Sequence, residues 1–320
     1  MAIPVIDFSK LNGDERAKTL AQIATCCEEW GFFQLVNHGI PVELLEKVKR
    51  VSSESFKKER EEKFNKSTAE KFLNELEKNK SNGKVQNVDW EDVFLLTDDN
   101  EWPSHVPQFR ETMKEYRSEL KNLAERVMQV MDENLGLQKG YIKKAFNNIG
   151  EEAEEGSENA FFGTKVSHYP PCPNPEMVNG LRAHTDAGGV ILLFQDDQVD
   201  GLQILKDGVW IDVQPIQNAI VINTGDQIEV LSNGKYKSVW HRVLAKENGN
   251  RRSIASFYNP SYKATIAPAP QLIVENHNKE DNKVELISNY PAFVFGDYMN
   301  VYTEQKFLPK EPRFQAVRAM

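Results

Sequence analysis

No apolar run in the 320 residues is long enough to cross a membrane, so membrane insertion is not expected. The first residues, Met1-Ala2-Ile3-Pro4-Val5-Ile6-Asp7-Phe8, read as a short strand rather than a signal or transit peptide. Cysteine is scarce. Cys26 and Cys27 are neighbours, which rarely bridge each other, and with Cys172 the count is odd, as suits a reducing compartment; a cytoplasmic location is expected. Basic blocks are missing as well: 39 Lys and Arg stand against 48 Asp and Glu, a net charge of −9, and no nucleic-acid partner is expected. No internal repeat or linker between independent domains is visible, and nothing marks an obligate protein partner.

What is present is ordinary globular composition, 40% hydrophobic and 27% charged, enough for one large core or two modest ones. Residues 14–29 have the apolar spacing of a helix, with Leu20, Ile23, Ala24 and Cys27 on one stripe. Trp30 to Asn37 turns to aromatic and β-branched residues, as a strand would, and a helix is expected from Pro41 through Val51. Residues 57–90 read as solvated helix and loop without chemistry, and Phe109 to Asn134 as a long helix buttressing a sheet. Glu151 to Glu158 is an acidic, solvated insertion.

From Phe161 onward the pattern is of short strands. These are Phe162–Tyr169, Gly188–Gln195, the hairpin Leu202–Leu205 and Trp210–Val213, Ala219–Asn223, Ile228–Leu231, Ser238–Leu244 and Ser253–Tyr258. Such spacing argues for a jelly-roll-like barrel or sandwich. Pro291 to Tyr302 reads as an aromatic-rich helix, ahead of Lys310-Glu311-Pro312-Arg313-Phe314. The expected layout is a helix-rich region over 1–160, a β core over 161–262, and a C-terminal helical segment over 263–320, a candidate lid, forming one catalytic unit.

The chain's chemistry centres on Leu181-Arg182-Ala183-His184-Thr185-Asp186-Ala187-Gly188-Gly189. On a strand, Arg182, His184 and Asp186 share a face, and His184 with Asp186 can take adjacent positions on one metal ion. His241, in a later strand, is the best third ligand. Two histidines and one carboxylate with open positions are the ligand set of non-haem Fe(II) oxygenases, although the set also suits catalytic zinc. His-x-Asp alone is common, so the neighbours decide. Arg251, Ser253, Ala255 and Phe257 share one strand face, where a guanidinium and a hydroxyl two residues apart can hold a carboxylate. Lys165 and Tyr169 share a face of an earlier strand. Gln195 is assigned to pocket or core, and His38, His105, His168 and His277 to structural or surface roles.

With these residues in place, nearly the whole chain resembles the plant non-haem iron oxygenases of the 2-oxoglutarate-dependent superfamily. The resemblance runs through Pro4-Val5-Ile6-Asp7, Trp30-Gly31-Phe32-Phe33, Asn37-His38-Gly39-Ile40 and Tyr169-Pro170-Pro171-Cys172-Pro173. Phe162-Gly163-Thr164-Lys165-Val166, the stretch from Leu181 to Gly189, Asn233-Gly234-Lys235-Tyr236-Lys237-Ser238 and Lys310 to Phe314 are more particular, and resemble the 1-aminocyclopropane-1-carboxylate (ACC) oxidases. The resemblance implies a double-stranded β-helix (jelly-roll) core, α+β and mainly β, with N-terminal helices and a helical tail. It also implies Fe(II) on His184, Asp186 and His241. The implied reaction is oxidation of ACC by dioxygen to ethylene, cyanide and carbon dioxide, with ascorbate as cosubstrate and CO2 or bicarbonate as activator. Arg251 and Ser253 would then serve substrate, ascorbate or bicarbonate. Lys165, Tyr169, Arg182, Lys310 and Arg313 match positions tied to activity. His168, Arg252 and the longer acidic loop depart from the common pattern without touching the ligands.

The nearest alternative is a 2-oxoglutarate-dependent hydroxylase or desaturase of a plant small molecule, which would share the ligands and the Arg251–Ser253 pair. A non-catalytic ligand-binding barrel is an alternative of another class.

Overall fold

The computed structural model describes residues 2–57, 59–78, 88–98, 100–147, 159–278 and 283–318. The acidic stretch Glu151–Glu158 lies outside them. In chain order come β1 (Val5–Asp7), α1 (Arg16–Thr25), β2 (Phe32–Val36), α2 (Val42–Ser55), α3 (Glu59–Phe64), α4 (Thr68–Lys78), β3 (Asp92–Leu96), α5 (Phe109–Asn134) and α6 (Tyr141–Asn147). Next are β4 (Phe161–Tyr169), β5 (Leu181–His184), β6 (Val190–Gln195), β7 (Leu202–Lys206), β8 (Val209–Asp212), β9 (Ile220–Thr224), α7 (Asp226–Leu231), β10 (His241–Val243) and β11 (Arg251–Asn259). Last are β12 (Thr265–Ile266), β13 (Val274–Asn278), β14 (Lys283–Ile287), β15 (Phe293–Val294), α8 (Phe295–Gln305) and α9 (Glu311–Arg318).

Two sheets form the core, in the manner of a jelly roll. The major sheet runs β1-β2-β9-β6-β11-β4-β3 and the minor one β5-β10-β7-β8. The helix-rich N-terminal region thus also contributes strands, with β1 and β2 at one edge of the major sheet and β3 at the other. Alternation along each strand divides the side chains between two apolar layers. Phe32, Tyr169, Leu202, Ile204, Val221 and Val243 fill the space between the sheets. Leu192, Phe194, Ile220, Ile222 and Ile254 face outward and meet the helices. There α5 presents Met113, Tyr116, Leu120, Leu123, Val127 and Met131, all buried at the three-and-four spacing of a single stripe. Each such side chain taken out of water stabilises the fold by about 1.5–3 kcal/mol. This layer holds the major sheet rigid behind the site.

Four expectations are corrected. Ile228–Leu231 forms the last four residues of a six-residue helix, α7, every residue of which is buried. A short apolar run buried on all sides has no periodicity to separate helix from strand. Strand β10 begins only at His241, and Ser238–Trp240 lies outside it. β5 ends at His184, so Asp186 lies beyond the strand rather than two residues along it. The aromatic helix starts at Phe295, because Phe293–Val294 first pairs with Thr265–Ile266.

Candidate metal centre and its pocket

His184 and His241 are direct cross-strand partners between β5 and β10, with ring centroids 4.3 Å apart. The Nδ1–H of His184 donates to the carbonyl of Arg182 at 2.8 Å, and that of His241 to the carbonyl of Val239 at 3.1 Å. A carbonyl only accepts, so both rings carry their proton on Nδ1 and turn the Nε2 lone pair inward. Asp186 meets them there, with Oδ1 3.7 Å from His184 Nε2 and Oδ2 3.5 Å from His241 Nε2. One ligand atom from each of the three lies within 4.8 Å of the others, and all three residues are buried. Burial, then the His241 ring and Lys306, hold the pKa of His184 well below its ordinary value, so it stays neutral and free to ligate. The donor set and its fixed tautomers fit a divalent transition metal.

Asp186 is fixed by a loop rather than by a strand. Its main-chain carbonyl accepts from Asp226 N at 2.8 Å, and the next carbonyls accept from Gln227 Nε2 (Ala187 O, 2.7 Å) and Gln227 N (Gly188 O, 3.0 Å). Asn223 Nδ2 donates to Asp186 Oδ2 at 2.8 Å. Tyr302 donates to the carbonyl of Thr185 at 2.7 Å. Gly189 is required by space: a Cβ there would lie 2.1 Å from the Phe146 ring. The Gly188-Gly189 of the sequence therefore lets the loop pass between α6 and β11 on its way into β6.

Between the sheets, the three residues open on a cavity of about 220 Å³. Strand alternation delivers Arg251, Ser253, Ala255 and Phe257 to its wall from β11, and Lys165 and Tyr169 from β4. Arg251 is fully buried. Its Nη2 donates to Gln195 Oε1 at 3.0 Å and its Nη1 to Ser253 Oγ at 3.3 Å, with the guanidinium 5.2 Å from the Tyr169 ring centroid. Lys165 Nζ lies 2.7 Å from Glu91 Oε1, which also accepts from the Tyr169 hydroxyl at 2.6 Å. Burial, then the Glu91 charge, pushes the Tyr169 pKa well up, so the phenol is neutral and donates.

Other expected site residues lie elsewhere. Arg182 does not line the cavity. It is bonded to Asp89 at 3.0 Å and stacks at 3.7 Å over Phe307, whose ring meets His184 edge-on at 6.2 Å. Gln195 lies behind Arg251. Lys310 and Arg313 are also outside the cavity lining. Lys310 Nζ is bonded to Glu229 and to the carbonyl of Ser238, both at 2.7 Å. Arg313, with no exposed surface, bonds Asp226 Oδ2 at 3.1 Å and Thr185 Oγ1 at 3.0 Å, the residue between the two ligands.

Several contributors went unnoticed in the sequence. Asp89 lies within, and Glu91 just after, the stretch 57–90 read as featureless solvated chain, where an isolated carboxylate carries no signal. Asn223 had one, as an amide ending an apolar run. Lys306, at the end of α8, lines the cavity and has no ion-pair partner among the described residues. Burial, then repulsion from Lys165, lowers its pKa.

The sequence model of the 2OG-Fe(II) oxygenase superfamily matches residues 161–260. That of the non-haem dioxygenase N-terminal region, named for morphine synthesis, matches residues 3–118. The chain is 69% identical to 1-aminocyclopropane-1-carboxylate oxidase 5 of Arabidopsis thaliana and 67% identical to 1-aminocyclopropane-1-carboxylate oxidase of Musa acuminata, covering 100% of both chains in each case. Among solved structures it is similar to JOX2 in complex with 2OG, Fe and JA, at 33% identity and a TM-score of 0.75 over 99% of this chain and 89% of that one. A rice dioxygenase for auxin oxidation shares the fold, at 22% identity and a TM-score of 0.71 over 99% of each chain.

Proposed function

The chain belongs to the ACC oxidases of the 2OG-Fe(II) oxygenase superfamily, and from that premise we propose that it oxidises ACC with dioxygen to ethylene, cyanide and carbon dioxide. The observation that carries the reading is full-length identity of 67–69% to two proteins of that name. The cavity supports it: about 220 Å³ lies below the ~300–1,000 Å³ usual for drug-sized ligands, and so favours a small substrate.

In this proposal His184, Asp186 and His241 hold Fe(II), which supplies dioxygen activation. The other groups act on charge and position. Lys165, Lys306 and Arg251 bring positive charge to a cavity that must take a carboxylate, and Ser253 offers a hydroxyl beside the guanidinium. Asn223 steadies Asp186, and Glu91 fixes Lys165 and Tyr169. Apolar Phe32, Ile191, Leu193 and Val243 exclude water around the small ring. Lys310 and Arg313 brace the ligand loop and α7 from behind. ACC breakdown yields half of the electrons that bring dioxygen to water, and ascorbate supplies the rest, with bicarbonate as activator.

A second reading, a 2-oxoglutarate-dependent hydroxylase, draws on the Arg251–Ser253 pair, which suits a distal carboxylate. The test is ethylene by gas chromatography from ACC, Fe(II), ascorbate and bicarbonate, with and without 2-oxoglutarate. Ethylene that needs iron and ascorbate, ignores 2-oxoglutarate and vanishes in Asp186→Ala is the expected result. Succinate from 2-oxoglutarate without ethylene would move the chain to the second reading.

A further inference from the structure

On the other face of the major sheet, α2 covers a second cavity of about 380 Å³. The alternation that sends Arg251 and Ser253 toward the metal centre sends Arg252 and Ile254 here. Three polar atoms of its lining residues are buried without a hydrogen-bond partner: Ser52 Oγ, Gln195 Nε2 and Arg252 Nε. Ser52 and Gln195 are only 2% and 6% exposed, so neither is served by solvent. All three can donate, and the nitrogens of Gln195 and Arg252 can only donate.

The other cations of the cavity are engaged. Lys49 bonds Asp197 at 2.8 Å and Glu46 at 3.0 Å, and Arg50 bonds Gln108 at 3.2 Å. Arg252 has no carboxylate partner among the described residues. Asp196 is the one carboxylate of the lining without an ion-paired cation among the described residues, and its Oδ1 already accepts from Gln198 N at 2.9 Å. It disfavours a multiply charged anion and offers an acceptor to a ligand hydroxyl.

We propose that the cavity between α2 and the outer face of β4, β6 and β11 is a second binding site, for a small hydroxyl-bearing monoanion held by Arg252, Gln195 and Ser52. Its occupancy is felt at the metal centre. Gln195 turns its nitrogen from the oxygen that Arg251 holds, and Ser253 lines both cavities. A ligand there is one amide away from the guanidinium of the substrate pocket.

Ascorbate and bicarbonate both carry a single charge and a hydroxyl, whereas 2-oxoglutarate is a dianion without one. Each is titrated calorimetrically, without oxygen or ACC, into the metal-free full chain, so the result does not depend on the oxidase reading. The expected result is binding of ascorbate or bicarbonate that weakens about tenfold in Arg252→Leu, the loss of one charge-assisted contact, and by less in Arg251→Leu, which removes only the group that holds the Gln195 oxygen. The two titrations identify which monoanion it is. Binding of neither, or binding lost in Arg251→Leu and kept in Arg252→Leu, overturns the proposal. Ser52→Ala and ligand-induced protection of α2 amides from hydrogen exchange give an independent reading should Arg252→Leu fold poorly. Protection of α2 supports the site, and protection confined to β5 and β10 overturns it.

Discussion

The carboxylate of Glu91 lies 2.7 Å from Lys165 Nζ and accepts from the Tyr169 hydroxyl at 2.6 Å. One side chain from the segment leading into β3 therefore sets the position of two groups on β4 that face the metal centre. Glu91→Gln keeps the shape and removes the charge. A charge-assisted hydrogen bond contributes about 1.5–3 kcal/mol, so kcat/KM for ACC should fall about 10- to 100-fold with the fold intact by circular dichroism. Unchanged ethylene kinetics would show that Lys165 finds its position without Glu91.

Asn223→Ala should weaken metal binding while leaving all three ligands in place. Groups that orient a ligand typically account for about 10- to 100-fold in affinity. The measurement is Fe(II) titration under anaerobic conditions, read alongside Asp186→Ala, in which binding should collapse altogether. Equal affinity in Asn223→Ala and the parent chain would remove the amide from the site.

Arg313 and Asp226 form an ion pair with no exposed surface on either side chain. Arg313→Met strands the Asp226 charge in the interior and should cost about 3–5 kcal/mol in urea unfolding. Adding Asp226→Asn removes that charge and should restore much of the loss. If the double variant is no more stable than the single one, the pair is not what stabilises this corner.

The metal-free protein should lose stability as the pH falls from about 6.5 to 5.5. His184, His38 and His168 all have folded-state pKa values below the ordinary 6.5, in each case chiefly through burial. The unfolded chain then takes up protons that the folded one refuses. Their contribution is complete above the unfolded value and is lost as pH drops toward the folded ones. Urea midpoints at both pH values give the check. His168→Asn should flatten the dependence, and a midpoint that rises on acidification would contradict the sign.

Lys306→Met removes one of the two cavity cations, with Arg251, that lack an ion-pair partner among the described residues. Weaker ACC binding, seen as a raised KM with kcat little changed, is expected if its charge serves the substrate carboxylate. A lower kcat at constant KM would place it in the later chemistry.

Strands were legible where they are half-buried, because alternation survives in the residues: β4 and β11 end within a residue or two of where their patterns stop. The three residues that converge, His184, Asp186 and His241, were picked out by residue type and neighbourhood, although the geometry offered for Asp186 was wrong. A loop pinned by α7 does what a strand was expected to do, and α7 itself was unreadable, being apolar on every side. Glu91, Asp89 and Asn223 act across long stretches of chain, and a contact set by tertiary packing leaves no local periodicity. Lys310 and Arg313 were marked by their motif, which carries no information on whether they face a substrate or the back of a loop.

Each histidine of the metal centre is oriented by the carbonyl of the residue two before it, Arg182 for His184 and Val239 for His241. Those acceptors belong to the peptide itself, so exchanging either side chain leaves them where they are. The imidazoles keep their handedness through drift at the very positions that aim them. Mutation can silence this site by deleting a ligand or moving a strand, but not by turning a histidine around.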